Sequence, residues 1–309
     1  MRLMDWYRAR LEVKGATLTA WSADTIFGHF CWFLRREHGE ARLRELLDAC
    51  INGSPPLLVS NGFPGDLLPR PVLPRPPRDS TRSLPEQMKD FDLMKKASEI
   101  SLVSAADFDG IRTGKAVVVQ KPDTGWSRCI ALKNQINRLT GTTGEEASLF
   151  SVEEHFTPLV TVYLKVSDKW TDNVGDFFTA YLTASGYGKR KTVGYGRVST
   201  AVIEAFPGFI TPAAANGFVS LSNFVPAAGD PVRGWWRVLV KYGKLGEEYA
   251  AGGDPFKKPL IMLEAGSCFY DTPVREYYGR AVTGVSSQYS QVIQYGFALP
   301  VPAVLPDRP

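Results

Sequence analysis

The residues best suited to chemistry lie together in the run Ser185-Gly-Tyr-Gly-Lys-Arg-Lys-Thr-Val-Gly-Tyr-Gly-Arg197. Its glycines, Gly186, Gly188, Gly194 and Gly196, let the backbone reach positive φ and approach a ligand closely. Successive N–H groups in such a loop form an anion-binding concavity, and Lys189, Arg190 and Lys191 supply the charge that phosphates attract. Tyr187 and Tyr195 each offer a flat face to an unstacked base, worth about 1–3 kcal/mol per base. With Thr192 and Arg197, these parts describe a grip on a single-stranded nucleic-acid backbone. A solvated glycine-rich connection between a helix and a strand has the same composition, and on the residues alone both readings stand. The order excludes a mononucleotide loop: the segment matches neither G-x-x-x-x-G-K-[ST] nor G-x-G-x-x-G, and its glycines follow a helix and precede a strand.

Cleavage of RNA without metal would need a histidine as general acid or base, and the chain has His29, His38 and His155. His29 lies within a helical pattern, and on the residues alone it reads as a capped or core-edge histidine beside Phe30 and Cys31. His38 adjoins Gly39 at a helix end, and His155 sits among Glu153 and Glu154 as a solvated residue. The carboxylate pairs Asp107/Asp109 and Glu145/Glu146 fall in apparent loops. No nucleophile, P-loop or metal-ligand set emerges, so the chain is expected to be non-catalytic, with no cofactor and no metal. Cys31, Cys50, Cys129 and Cys268 lack C-x-x-C spacing and read as reduced thiols of a cytoplasmic protein. No apolar run approaches the about 18 residues of a membrane span, so no membrane is expected.

The elements that must position the loop follow from periodicity. A first strand runs to Val13, and Asp24 caps a helix burying Ile26, Phe27, Phe30, Phe33 and Leu34 until Gly39. A short helix spans Glu40 to Cys50. Prolines from Pro55 to Pro85 then break regular structure, followed by a basic helix over Met88 to Ile100 and a strand-like exit at Ala116 to Gln120. Leu159 to Val166 is a strand, a helix covers about Val174 to Ala184, and the glycine-rich run leads into a strand from Val198 to Phe206. Later strands are Trp235–Tyr242, Leu260–Glu264 and Gln291–Leu299. A strand–helix–strand succession in each half predicts an α+β chain of two modules, 1–150 with an inserted proline-rich arm at about 54–115, and 151–309. The 44% hydrophobic content fills real cores, and a net charge of only +4 fits nucleic acid if the cations gather on one face. Trp235-Trp236 suits base stacking or a core–interface position. The arm residues Arg70, Arg75, Arg78 and Arg82 suit RNA, a protein or solvent, with Leu67, Leu68, Val72 and Leu73 favouring a protein.

The Gly186–Arg197 run resembles the G-rich loop of RAMP proteins, the RNA-binding subunits of CRISPR effectors. Five further stretches resemble one family within them, the Cas-five-like subunit of type III-A (Csm) complexes. They are Ser22-Ala-Asp-Thr-Ile-Phe-Gly-His-Phe-Cys-Trp32, Val59-Ser-Asn-Gly-Phe-Pro64 with Leu68-Pro-Arg-Pro71, Lys133-Asn-Gln-Ile-Asn-Arg-Leu-Thr-Gly141 with Leu149-Phe150, Lys258-Pro-Leu-Ile-Met-Leu-Glu-Ala-Gly-Ser267, and Tyr295-Gly-Phe-Ala-Leu-Pro300. They stand in order along almost the whole chain; residues 206–233 match nothing in the family. The resemblance implies two ferredoxin-like (RRM-related) modules, the second partly degenerate. It implies a non-catalytic subunit at the foot of the complex, holding the guide RNA (crRNA) 5′ tag in antiviral defence. Its protein partners would be the large cyclase- and polymerase-like subunit and the adjacent backbone RAMP subunit. Tag binding carries onto Gly186–Arg197, and Asn134, Asn137 and Arg138 match a family segment near the guide. The alternatives are an endoribonuclease processing repeat RNA with His29, and a stand-alone RNA-binding protein.

Overall fold

The computed structural model describes residues 4–74, 83–123, 125–134, 136, 139–143 and 149–307. Arg75, Arg78, Arg82, Asn137, Arg138, Glu145 and Glu146 lie outside the described residues. The chain is α+β. In chain order, β1 (Met4–Lys14) leads to α1 (Ala23–Phe33), α2 (Gly39–Ile51) and β2 (Leu57–Pro64). Helices α3 (Leu84–Ser98) and α4 (Ala105–Arg112) precede a ribbon of β3 (Ser127–Asn134) and β4 (Leu149–Phe156). Next come β5 (Leu159–Ser167), a helical stretch over residues 171–185, and β6 (Arg197–Ala205).

The main sheet has the order β2–β5–β1–β6, every pairing antiparallel. Alternation sets the register of β1. Ala9, Leu11 and Val13 are buried, and Ala9 and Leu11 lie opposite Val162 and Val160 of β5. A slip of one residue would turn this row toward water. On the other face Arg8 bonds Glu204 of β6 at 2.6 Å. Strand β5 is buried on both faces, with Val160, Thr161, Val162, Tyr163 and Leu164 at 0–3% exposure. Helix α1 lies on one face, its Phe30 against Phe177 at 5.4 Å. On the other, Tyr163 meets Phe206 at 5.2 Å and Trp6 meets Phe209 at 5.7 Å. Thus the segment after β6 folds back over the sheet face.

Beyond residue 205 lie β7 (Gly217–Ser220), β8 (Val238–Lys241), β9 (Leu260–Leu263), β10 (Cys268–Tyr270) and β11 (Pro300–Ala303). Strand β7 pairs with β10 and β11, while β8 and β9 form a separate antiparallel hairpin. Among the described residues this region holds no α-helix. It joins the main core through Tyr295, whose ring lies 4.5 Å from Phe27 and whose hydroxyl accepts the Val59 N–H at 3.1 Å.

Several sequence expectations change here. The division at residue 150 falls inside the main sheet, because β1 pairs with β5 and β6 from beyond it. The proline-rich arm does not begin at 54, since β2 is a strand of that sheet, paired from Leu57 to Pro64 with a register shift between Val59 and Gly62. Ser22, not Asp24, holds the N-cap position of α1, and Asp24 instead bonds Lys241 and Gln294 from the C-terminal region. The helical run of α1 continues through a π-turn at Leu34–His38 and ends on Gly39, as expected, where φ +82° breaks the helix before α2 follows. Residues 116–120 form no strand.

Leu164 is fully buried at the centre of β5. Leu164→Ala is expected to lower stability by about 2–5 kcal/mol, read as a fall in the urea midpoint at unchanged m-value.

Candidate nucleic-acid interface

The glycine-rich loop hangs from the helical stretch 171–185 and returns into β6, so both ends are tied to the main core. Gly186 leaves the helix at φ +71°, its N–H bonding the Leu182 carbonyl at 2.9 Å. The loop then bonds to itself and its surroundings. Tyr187 N–H donates to the Gly196 carbonyl at 2.8 Å, and Gly196 N–H donates to the Ala16 carbonyl at 2.9 Å. Gly188 N–H donates to His29 Nε2 at 3.0 Å, and Lys189 N–H to Thr19 Oγ1 at 3.0 Å. Gly194 N–H closes a short 3₁₀ turn on the Lys191 carbonyl at 3.3 Å. The anion concavity expected from the sequence is therefore not built from these amides, because the protein already occupies them. Gly196 is required by close packing: at φ +62°, a Cβ there would stand 1.9 Å from the Tyr187 carbonyl oxygen.

Tyr187 is not a base-stacking platform. It is 1% exposed, lies flat on Trp21 with centroids 3.7 Å apart and planes 7° apart, and donates its hydroxyl to the Ala20 carbonyl at 2.8 Å. Burial pushes its phenol well above the usual range. Lys191 is also committed, its Nζ 2.5 Å from Glu247, whose carboxylate takes Arg36 at 2.8 Å as well. Burial alone would raise the Glu247 carboxyl, yet Lys191 and Arg36 hold it below its ordinary value.

What the loop exposes is its tip. Lys189, Arg190, Thr192 and Gly194 are exposed, as is Arg197 at the start of β6. Arg190 stands at φ +56°, its guanidinium 5.1 Å from the Phe150 ring centroid. Tyr195 is half-buried and donates its hydroxyl to Glu154 at 2.5 Å. Lys133 reaches the same carboxylate at 2.9 Å and lies 5.7 Å from the Tyr195 ring. The β3–β4 ribbon is thereby fastened to the loop on one face. Its other face carries Asn134, opposite Leu149, together with Ile130, Leu132 and Leu149 at 71%, 68% and 63% exposure. That exposed apolar face was missed in the sequence. Alternation cannot single it out, since Cys129 and Ala131 make the inner face apolar too.

His29 sits at the root of the loop. Its Nε2 lone pair accepts the Gly188 N–H, and its Nδ1 is buried without a hydrogen-bond partner. Burial first, then Lys191, pushes its pKa down to about 4, with Glu247 opposing. It is a neutral acceptor near pH 7, positioned to hold the loop. His38 bonds Asn173 at 3.1 Å, and His155 lies 6.0 Å from Trp126 in β4. Asp109 is drawn into an ion pair with Arg112, away from Asp107. Among the described residues no three His, Cys, Asp or Glu gather as metal ligands, and no helix is long and apolar enough to cross a membrane. Trp235 and Trp236 pack against Tyr270 and Phe269 at 5.5 Å.

No protein-family model and no curated protein matches the chain. Solved structures do match its fold. One is a chain of the crystal structure of a Csm1–Csm4 cassette with cA4, at TM-score 0.63 and 17% identity, covering 98% of this chain and 100% of that one. A chain of the Csm3–Csm4 subcomplex of the type III-A CRISPR-Cas interference complex matches at TM-score 0.59 and 12% identity, covering 97% and 100%. A chain of the type III-B Cmr-beta complex, bound to cognate target RNA and AMPPnP, matches at 0.53 and 12%, covering 85% and 86%. The likeness to a Csm4-like RAMP subunit thus extends from sequence motifs to the fold of the whole chain.

The low pKa of His29 makes a stability signature. Unfolded, the imidazole binds a proton below about pH 6.5; folded, only below about 4, so stability falls as pH drops through that window. The loss is on the order of 3 kcal/mol. His29→Gln, which keeps an acceptor for Gly188, is expected to flatten the urea-unfolding stability profile between those pH values.

Proposed function

We propose that this chain is the guide-RNA-binding subunit of a type III CRISPR effector complex. It holds the crRNA 5′ tag at the foot of the complex, between the large cyclase-like subunit and the first backbone RAMP subunit, in antiviral defence. The observation that carries this reading is the exposed, cationic tip Lys189–Arg190 on a loop whose amides at Tyr187, Gly188, Lys189 and Gly196 are bonded within the protein. A loop fixed by its protein contacts presents its charges without first being ordered by RNA. The adjoining ribbon, with Asn134 at its end and Arg190 beside its Phe150, supports an RNA path that continues onto β3 and β4. Phosphate contacts from Lys189, Arg190 and Arg197 are sequence-tolerant, which suits a subunit that reads position in a complex.

The β1–α1–β2–β5–helix–β6 succession, with order β2–β5–β1–β6, is read as one ferredoxin-like module spanning residues 4–205. The helix-free sheet of β7, β10 and β11 is read as its degenerate counterpart. RNA would then bind at the loop and ribbon, since Phe206 and Phe209 cover the sheet face that RRM domains use.

We read the subunit as non-catalytic. A general base needs a free lone pair within reach of a 2′-hydroxyl, and the His29 Nε2 lone pair is given to Gly188. The repeat-processing alternative requires His29 to leave that bond. Among the protein partners, the fold's occurrence in Csm1–Csm4 and Csm3–Csm4 assemblies supports a large and a backbone subunit. A cytoplasmic assembly follows from the same reading.

The test is to purify the chain from cells expressing its neighbouring genes and a repeat-spacer array, then titrate the complex with tag RNA at several salt concentrations. Lys189→Ala with Arg190→Ala is expected to weaken tag binding about tenfold, to reduce the log K against log salt slope by about 1.4, and to leave the melting temperature unchanged. Lys191→Ala is expected to do the reverse, lowering the melting temperature through a partly buried Glu247 that keeps only Arg36 as its ion-pair partner. Unchanged tag binding in the double variant would overturn the assignment. Metal-independent cleavage of repeat RNA, lost in His29→Ala, would establish the nuclease instead.

A further inference from the structure

Two consecutive amides entering the tip of the glycine-rich loop are held by side chains from the first thirty residues. Gly188 N–H donates to His29 Nε2 of α1, and Lys189 N–H donates to Thr19 Oγ1 in the connection between β1 and α1, both at 3.0 Å. An imidazole nitrogen that accepts carries no proton, so the hydrogen of the neutral ring sits on Nδ1, which is buried without a hydrogen-bond partner. The fit around Thr19 is close: a Cβ on Gly188 would stand 2.8 Å from its Oγ1.

The residue that follows is under strain. Arg190 stands at φ +56° and ψ +28°, a left-handed conformation that a side chain disfavours. Among the described residues one other non-glycine residue has positive φ, Glu247 at +51°. The two are joined through Lys191, which follows Arg190 and pairs with the Glu247 carboxylate at 2.5 Å. Strain of this kind persists where surrounding contacts over-determine the backbone, and it gathers at sites that hold ligands. Here the turn is gripped from both sides, by His29 and Thr19 before Arg190 and by the ion pair after it. The grip sets the guanidinium 5.1 Å from the Phe150 ring on β4. Lys189 and Arg190 nevertheless stay exposed.

We infer that His29 and Thr19 are positioning residues for RNA. By holding the Gly188 and Lys189 amides they impose the left-handed turn at Arg190, and they act on RNA phosphates only through the two cations that this turn carries. Long cationic side chains on a free turn sample many directions, and ordering them costs entropy. A turn held in advance reduces that cost when a phosphate binds. His29 is not itself placed to meet RNA, because its Nε2 lone pair is spent on Gly188 and its Nδ1 is buried. That the ligand is RNA rests on the function proposed above, whereas the turn and its two acceptors rest on the geometry of the loop alone.

The experiment is a double-mutant cycle on the full chain in its co-expressed complex, titrated with tag RNA at a temperature where every variant is folded. His29→Leu and Thr19→Val each remove one acceptor and are expected to weaken tag binding about three- to tenfold, the worth of one amide hydrogen bond. In the background of Lys189→Ala with Arg190→Ala, the same substitutions are expected to have no further effect on binding, although their effect on the melting temperature persists. His29→Gln, which restores an acceptor, is expected to recover most of the affinity lost in His29→Leu. Thr19 is only half-buried, so Thr19→Val carries the cycle if His29→Leu does not fold. Losses that add in full in the double-alanine background would show another route to RNA and overturn the inference. Unchanged binding in both single variants, with the double alanine still weakened, would overturn it and leave the proposed function standing. If the double alanine binds tag RNA as the wild type does, the proposed function falls and this inference with it.

Discussion

Tyr187 lies flat on Trp21 at 3.7 Å, inside the fold, and the shape of the glycine-rich loop follows from that contact. Drawing the tyrosine inward brings its backbone against Gly196, where only hydrogen fits, and aligns Gly188 with the His29 imidazole. The amides of Tyr187, Gly188, Lys189 and Gly196 are then spent inside the protein. The loop folds into a stalk, with Lys189 and Arg190 carried outward on the turn that follows. A side chain that composition offers as a platform for a base is instead the anchor that gives two neighbouring cations a fixed position. The apolar gain of burying a tyrosine, with its hydroxyl satisfied by Ala20, favours this over leaving it in water.

Ionic groups then join parts of the chain that are distant in sequence. Lys191 from the loop, Arg36 from the π-turn and Glu247 from the far C-terminal region converge, and Lys241 reaches Asp24 at the head of α1. Ion pairs that are largely removed from water add little net stability, but removing one partner strands the other. Their effect is to fix geometry, holding the C-terminal hairpin against the face of the molecule that carries the loop. The helix that supplies His29 thus meets both the glycine-rich loop and the C-terminal hairpin.

The main sheet has a different fate from that of a sheet which binds RNA on its open face. Phe206 and Phe209 close over Trp6 and Tyr163, leaving β5 buried on both sides. The strand reads in sequence as Leu159-Val-Thr-Val-Tyr-Leu-Lys-Val-Ser167, which shows alternation but also the near-continuous apolar character of a doubly covered strand. At the rim of the covered sheet, the loop and the β3–β4 ribbon meet at Tyr195, Lys133 and Glu154.

Local periodicity sufficed for α1, α2, β1, β5 and β6, because in each the spacing of apolar side chains is set by the element's own geometry. It also sufficed to find the glycine-rich run, and the motifs along the chain agree with the fold. Whether Tyr187 faces a base or Trp21, whether Lys191 meets phosphate or Glu247, and whether His29 is free or bonded to Gly188 depend on residues 56 to 166 positions away. No local pattern carries that information. The same holds for the boundary near residue 150: strand pairing between β1 and β5 is long-range, and a succession of strand, helix and strand looks alike whether it closes one sheet or begins another. Sequence determined which residues could do chemistry, and tertiary packing decided which of them remain exposed to do it, because burial and ion pairing consume side chains irrespective of type.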